Sequence, residues 1–278
     1  MKNGPMVKRR DPELLPAQRR ALLLEHIRQR GAASIQELAE VARTSQSTIR
    51  RDLEELEEKG YLERTHGGAL IQQRQPRSTF EPEAAISAEF SRNEKSLIGQ
   101  AAAAMLRGGE SVIFDSSSTV AMAAQVCLTR DLALTAVTND LGIGQLLAAS
   151  PKMRVVVLGG TVRPESLTLT GRPGEDFIAQ LHTDVAFIGV HAIRNGVPTE
   201  TSLEAASIKR AMISAARHVV LLADASKFQL AAFCRICDPT AIDEIVTDSR
   251  ADESDIASLR NAGIKVTVVG GSNPNTNR

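Results

Sequence analysis

The chain has 278 residues, enough for one large domain or a large and a small one, and 42% of them are apolar, so a sizeable core is expected. Its formal net charge is zero and its aromatic content only 3%, which argues against a uniformly basic nucleic-acid binder and against base recognition mainly by aromatic stacking. Cys127, Cys234 and Cys237 are too few for a disulfide framework, residues 1–30 carry no signal peptide, and no run reaches the roughly 18 apolar residues of a membrane helix.

A cytoplasmic protein with no membrane partner and no cofactor is therefore expected. The neutral total hides an asymmetry. Residues 1–30 hold eight Lys/Arg against three acids, a basic end on a mildly acidic body.

In chain order, Leu14, Leu15, Ala17, Ala21, Leu22, Leu24, His26 and Ile27 recur at helical spacing up to Gly31. Ser34 is an N-cap, and Glu37 completes a capping box for a short helix with Ile35, Leu38, Ala39 and Ala42 on its apolar side. Ser45 caps a third helix, Gln46 to Lys59, stopped by Gly60. On it Ile49, Leu53 and Leu56 share one stripe. At about 100° per residue Ser47 and Arg51 point the other way, flanked by Thr48 and Arg50. The far half of the exposed face is Glu54, Glu55, Glu57 and Glu58, which a phosphate backbone repels. A helix that enters a major groove by its amino-terminal end fits this distribution. Arg reads guanine edges or grips phosphate, and Ser/Thr do either more weakly. "GYLERTHGGAL" then predicts a strand, a Gly67-Gly68 turn and a return strand through Leu70 and Ile71, a β-wing. On periodicity alone, a surface helical bundle with solvated charges is the competing account.

The string "STIRRDLEELEEKGYLERTHGGA" resembles the DNA-binding signature of the DeoR family of bacterial transcriptional regulators, with similarity from Gln18 to Ile71. The resemblance implies a winged helix-turn-helix that meets double-stranded operator DNA through Ser45, Ser47, Thr48, Arg50, Arg51, His66 and Gly67. Thr44 departs from the pattern, standing where the family has an apolar residue. The following stretch, "QQRQPRSTFEPEAAISAEFS", carries Pro76 and Pro82 and predicts an extended linker with a short helix starting near Pro82.

Beyond the linker, short Val/Ile-rich runs alternate with helical stretches. Strands are expected at Ser111–Asp115, Leu132–Thr138, Arg154–Leu158, Val185–Val190, His218–Asp224, Glu244–Thr247 and Ile264–Val269. Helices are expected near 93–107, 118–128, 140–149, 174–182, 202–217 and 252–262. This is the pattern of an α/β domain with a buried parallel sheet, in which ligands sit beyond the carboxyl ends of the strands. The ends in question read Asp115-Ser116-Ser117-Ser118-Thr119, Thr138-Asn139-Asp140, Gly159-Gly160-Thr161, Gly189-Val190-His191 and Asp224-Ala225-Ser226-Lys227. Any one such loop is explained by helix capping. All five together point to a site, with hydroxyls and a lysine suited to phosphate.

The same strings resemble the sensor domain of the DeoR family, so the similarity spans nearly everything except the two ends. It implies a Rossmann-like α/β domain akin to ribose-5-phosphate isomerase and the CoA transferases, which binds a phosphorylated sugar or related metabolite. By resemblance Ser116, Ser118, Thr119 and Lys227 hold the phosphate, and Asn139, Asp140 and Gly160 shape the sugar pocket. Asp115, Ser117 and His191 complete the candidate site. Ser117 stands where the family has glycine.

An isomerase with a DNA-binding appendage is the rival. Enzymes of the related fold carry D-G-A-D at a strand end, and the matching string here is "IGVH", Ile188 to His191, with both acids lost. The serine loop lacks the Gly-x-Ser-x-Gly of a hydrolase. Glu200, Glu204 and Lys209 either line the pocket or form a solvated helix face. "CRIC", Cys234 to Cys237, reads as a pair of buried thiols beside Phe233 and Ile236. The expected organisation is a flexible basic N-terminus at 1–13, a winged helix-turn-helix at 14–71, a linker at 72–92, an α/β sensor at 93–270 and a disordered tail at 271–278. Paired half-sites call for a homodimer or homotetramer, and the expected function is a repressor, not an enzyme.

Overall fold

The computed structural model describes residues 14–70, 78–80, 82–228 and 231–270. The expected N-terminus at 1–13, the tail at 271–278, Ile71 and the linker stretch 72–77 lie outside the described residues. The chain divides into two compact units, Met1–Pro76 with Ala85–Phe90, and Arg77–Ala84 with Ser91–Arg278.

The smaller unit opens with α1 (Pro16–Arg30), which has proline in its first turn and ends at Gly31 with φ 81°. Then come β1 (Ala32–Ser34), α2 (Ile35–Val41), α3 (Gln46–Glu58), β2 (Glu63–Thr65) and β3 (Gly68–Leu70). Leu23, Leu24, Ile27, Leu38, Ile49, Leu53 and Leu56 are completely buried, and each such side chain contributes about 1.5–3 kcal/mol. Two details differ from the sequence reading. Ser34 Oγ does accept from the Glu37 amide, at 3.2 Å, but the Glu37 carboxylate turns to His26, at 2.9 Å, and to Arg30. The hairpin turn is His66-Gly67, because Gly68 already belongs to the return strand and pairs with both Thr65 and Ser34. A Cβ on Gly68 would lie 2.1 Å from the Ala33 carbonyl oxygen, so glycine is what lets β1 join the wing in the order β1-β3-β2. Strand β1 was not anticipated, being three residues long. After the hairpin, α4 (Ala84–Glu89) carries buried Ile86.

The larger unit runs α5 (Arg92–Met105), β4 (Ser111–Phe114), α6 (Ser118–Thr129), β5 (Leu134–Thr138), α7 (Leu141–Leu147) and β6 (Met153–Val157). A short hairpin β7 (Thr161–Val162) and β8 (Leu169–Thr170) follows, then α8 (Arg172–Ile178) and β9 (Thr183–Ile188). Next are β10 (Ala192–Arg194), β11 (Val197–Glu200), α9 (Leu203–Ala215), β12 (Ala216–Leu222), β13 (Cys234–Arg235), β14 (Glu244–Asp248), α10 (Glu253–Asn261) and β15 (Lys265–Val269). The seven expected strands form one parallel sheet in the order β15-β14-β12-β9-β4-β5-β6. Alternate residues of each strand serve alternate faces. Ile113, Ala186, Ile188, Leu221 and Ile245 join one core cluster, and Val112, Phe114, Phe187, Val220 and Val246 the other. Strands β10, β11 and β13 make a separate small sheet that the sequence reading did not contain. From β4 the chain winds outward through β5 and β6, then returns to β9 and winds the other way, so the order reverses between β4 and β9.

Candidate functional site

In the smaller unit, Ser45 Oγ accepts the Thr48 amide at 3.2 Å and lies 2.8 Å from Ser47 Oγ and 2.9 Å from Thr48 Oγ1. A hydroxyl cluster therefore sits on the first turn of α3. Ser45, Ser47, Arg50 and Arg51 are exposed, Thr48 is half-buried, and His66 and Gly67 are exposed at the hairpin tip. No hydrogen bond or ion pair of the Arg50 or Arg51 side chains occurs among the described residues. Other cations of this unit are committed. Arg19 pairs in two places with buried Asp52, at 2.6 and 3.1 Å, Arg20 meets Glu55, and the Arg28 guanidinium lies 4.7 Å from the Phe90 ring centroid. The basic count of residues 1–30 thus overstates the charge left free, since the buried Arg19–Asp52 pair braces α1 against α3.

In the larger unit, loops from five adjacent strands line the carboxyl edge of the sheet, with the serine loop after β4 at their centre. The reversal between β4 and β9 is where parallel sheets open a crevice. Asn139, after β5, accepts the Ser116 amide at 3.0 Å, and its own amide nitrogen lies 3.3 Å from Ser116 Oγ and 3.2 Å from the Leu169 carbonyl. Ser117 caps α6, its Oγ accepting from Thr119 at 3.2 Å and Val120 at 3.5 Å. Ser117 has φ −127°, so no positive φ is needed where the resemblance led us to expect glycine. A Cβ on Gly189 would lie 2.2 Å from the Ser117 side chain, so the serine occupies space that the glycine leaves open.

An anion at a helix N-terminus is held by free backbone amides, and the serine loop has few to offer. Most are taken. Ser116 N–H donates to Asn139, Ser117 N–H to the Asp115 carbonyl, and Thr119 and Val120 to the Ser117 cap, leaving the Ser118 N–H unclaimed among the described residues. Asp140 is also largely structural, because Oδ1 caps α7 through the Ile143 amide at 2.9 Å. Gly160 is exposed with φ 151°, and a Cβ there would lie 2.5 Å from the Thr170 carbonyl oxygen. Lys227 closes a single helical turn, Ala225–Lys227, after β12, whose Asp224 carboxylate caps Ser226. It is half-buried, its backbone amide donates to the Asp224 carbonyl at 2.9 Å, and its ammonium makes no hydrogen bond or ion pair among the described residues. Two strand spacings, about 10 Å, separate β12 from β4, so Lys227 and the serine loop share an edge without touching in any recorded contact.

The sequence left Glu200, Glu204 and Lys209 open. Glu204 is exposed, but Glu200 and Lys209 are buried and meet Asp115 at the crevice. The Lys209 ammonium reaches the Gly189 carbonyl at 2.7 Å, Glu200 Oε1 at 2.7 Å and Asp115 Oδ2 at 3.1 Å, which uses all its donors. Asp115 Oδ2 also accepts the Gly189 amide at 2.9 Å, while Asp115 Oδ1 is buried with no hydrogen-bond partner among the described residues. Burial pushes the Asp115 carboxyl up, and Lys209 only partly offsets this. For Glu200 burial acts the same way, but the Lys209 charge and hydrogen bond, with the charge of His191, hold it below the usual range. Burial opposes the Lys209 charge, yet the two carboxylates outweigh it and raise its pKa. Helical spacing alone does not find this triad, because Glu200 ends a strand that only the fold brings beside α9.

The cysteines differ from expectation. Cys234 and Cys237 are half-buried rather than buried, and Phe233 is exposed. Cys234 Sγ lies 3.1 Å from the Ser202 carbonyl, and burial pushes the Cys237 thiol up to about 11, so neither is an activated thiolate.

Known proteins agree with this architecture. A family model described as the DeoR-like helix-turn-helix domain matches residues 19–75, and one described as the DeoR C terminal sensor domain matches residues 91–249. The putative aga operon transcriptional repressor of Escherichia coli O157:H7 is 30% identical over 91% of this chain and 94% of its own. The HTH-type transcriptional regulator GlpR of Haloferax volcanii is 31% identical over 93% and 99%, and the glycerol-3-phosphate regulon repressor of Escherichia coli K12 is 30% identical over 84% and 90%. Among solved structures, ribose 5-phosphate isomerase A of Methanocaldococcus jannaschii has 14% identity and TM-score 0.38 over 50% of this chain and 55% of its own, too slight a likeness to carry an argument. With both domain models matched in order and relatives aligned almost end to end, the chain belongs to the DeoR family of DNA-binding transcriptional regulators.

Proposed function

We propose that this chain is a repressor that holds operator DNA through the first turns of α3 and the β2–β3 tip, and lets go when its sensor binds a phosphorylated sugar. The observation that carries the reading is the pair of exposed guanidinium groups, Arg50 and Arg51, with no internal partner among the described residues. Beside them stand the Ser45, Ser47 and Thr48 hydroxyls, while the glutamates occupy the other end of the same helix. That polarity suits a helix whose N-terminal end alone enters the major groove. His66 and Gly67 reach the adjoining backbone from the hairpin tip. One winged unit covers one half-site, so the working form is a homodimer or homotetramer.

The effector enters at the β4–β9 crevice. Ser118, through N–H and Oγ, Ser116 Oγ, Thr119 and Lys227 hold the phosphate. A phosphate that takes the Thr119 and Val120 amides displaces the Ser117 hydroxyl from them. Asn139, Asp140 and Gly160 hold the shape of the pocket, and Asp115 Oδ1 offers a buried acceptor to a sugar hydroxyl beside His191. Release follows only because the effector favours the form that binds DNA poorly. No isomerisation is expected. Ile188 and His191 replace the acids of the related enzymes, and the Asp115, Glu200 and Lys209 charges are tied to one another.

Mobility-shift assays on DNA upstream of the gene and its neighbours test this. Arg51→Ala abolishes a shift that the unaltered protein gives; a shift that survives the change defeats the recognition-helix assignment. A panel of sugar phosphates shows no turnover, and measurable isomerisation overturns the non-enzyme reading.

A further inference from the structure

The chain enters the larger unit for good at Ser91, the first residue after Ala85–Phe90 of the smaller one. Ser91 is a non-glycine residue in the left-handed region, φ 49°, ψ 36°, at the N-cap of α5. Non-glycine residues rarely adopt such a conformation, and it persists where its surroundings fix it. Arg250 helps fix it. Its guanidinium donates to Ser91 Oγ at 3.1 Å and lies 3.3 Å from Glu94 Oε1 in the first turn of the same helix. Its Nε donates to Asp248 Oδ1 at 2.9 Å. The other oxygen of that buried carboxylate accepts the Ala225 amide at 2.7 Å. Ala225 opens the turn that ends in Lys227. An unbroken path of hydrogen bonds therefore joins the proposed phosphate loop to the point of entry, through two side chains.

We propose that Arg250 is a positioning residue for regulation. Through Asp248 it ties the backbone of the Asp224–Lys227 loop to the left-handed Ser91, so that a change in that loop resets the start of α5. The proposal rests on the sensor reading above. A second tie supports the same logic, since the Ser78 carbonyl accepts the Phe233 amide at 3.0 Å, and the next residue, Cys234, is in register with Glu200. These two ties therefore lead from the connecting segment back to residues of the proposed pocket. Contiguous contacts alone do not establish coupling; a demonstrated energetic interaction does.

Hydrogen exchange on the full chain supplies it without any ligand. The Lys95 amide, bonded to the Ser91 carbonyl at 2.9 Å, is the reporter. Asp224→Ala, which removes the cap of the loop, speeds exchange at 91–95 by about threefold or more, the scale of a coupled pair. In an Arg250→Ala background, and equally in Ser91→Gly, which keeps the left-handed backbone without the acceptor, Asp224→Ala adds nothing further. Additive effects in both backgrounds, or no response to Asp224→Ala in the unaltered protein, overturn the proposal. Ser91→Gly keeps the test alive if Arg250→Ala fails to fold. Inorganic phosphate, matched to chloride for ionic strength, protects residues 225–227 in the unaltered protein. Absence of that protection counts against the phosphate reading and leaves the ligand-free cycle decisive for the relay.

Discussion

At Ser117 a single hydroxyl does two things that a glycine cannot: it caps α6 and fills the gap left by Gly189. Replacing it with glycine costs the cap only a few tenths of a kcal/mol, and it frees two amides for a phosphate. Ser117→Gly therefore changes the ranking of phosphorylated sugars in a thermal-shift screen while DNA affinity without effector stays put; equal rankings for the two proteins count against this role. The buried triad makes a second prediction. Lys209→Met strands two carboxylates and lowers stability by about 3–5 kcal/mol near neutral pH. Glu200, held low in the fold, contributes stability above the ordinary carboxylate range and loses it as pH falls through its lowered pKa. Asp115, held high, works in the opposite sense, favouring the fold more as pH falls through its raised value. Once Lys209 is gone both acids are held up by burial, so the deficit of the variant shrinks as pH falls toward the carboxylate range. Urea midpoints at several pH values read this directly, and a deficit independent of pH contradicts it.

Among the elements, α3 was the most legible in sequence, because one stripe of Ile49, Leu53 and Leu56 and one cap, Ser45, fix its face and its start. The sheet strands were legible for a similar reason, each being a compact Val/Ile run between turn residues. What stayed hidden was short or long-range. Two- and three-residue strands such as β1, β7 and β13 have no period to read, and the Arg19–Asp52 pair joins residues 33 positions apart. That pair appeared in the sequence only as one more basic residue and one more acid. It yields an element-level prediction. Asp52→Ala leaves Arg19 buried without its partner and destabilises the winged unit by about 3–5 kcal/mol, whereas Glu58→Ala, on the exposed end of the same helix, stays within about 0.5 kcal/mol. Thermal melts followed by circular dichroism distinguish the two, and equal melts refute the buried brace.

For the whole molecule, the candidate residues were readable as types at strand ends, but their division of labour was not. The resemblance gave Ser118 to the phosphate and Asp140 to the sugar pocket, yet an Asp140 carboxylate oxygen caps α7 while the Ser118 amide stays unclaimed among the described residues. It also left Glu200 and Lys209 undecided, since only the crossover from β11 through α9 sets them against Asp115. In the proposed function one unit senses and the other contacts DNA, linked by the chain that enters at Ser91. Fluorescence anisotropy of a labelled upstream DNA fragment, titrated with the full chain and then with a panel of phosphorylated sugars, tests that assignment most directly. At least one phosphorylated sugar is expected to weaken DNA binding by about tenfold or more, within the usual span of allosteric coupling, while its unphosphorylated parent does not. DNA affinity unchanged by every member of the panel, or weakened equally by the unphosphorylated sugar, would contradict it.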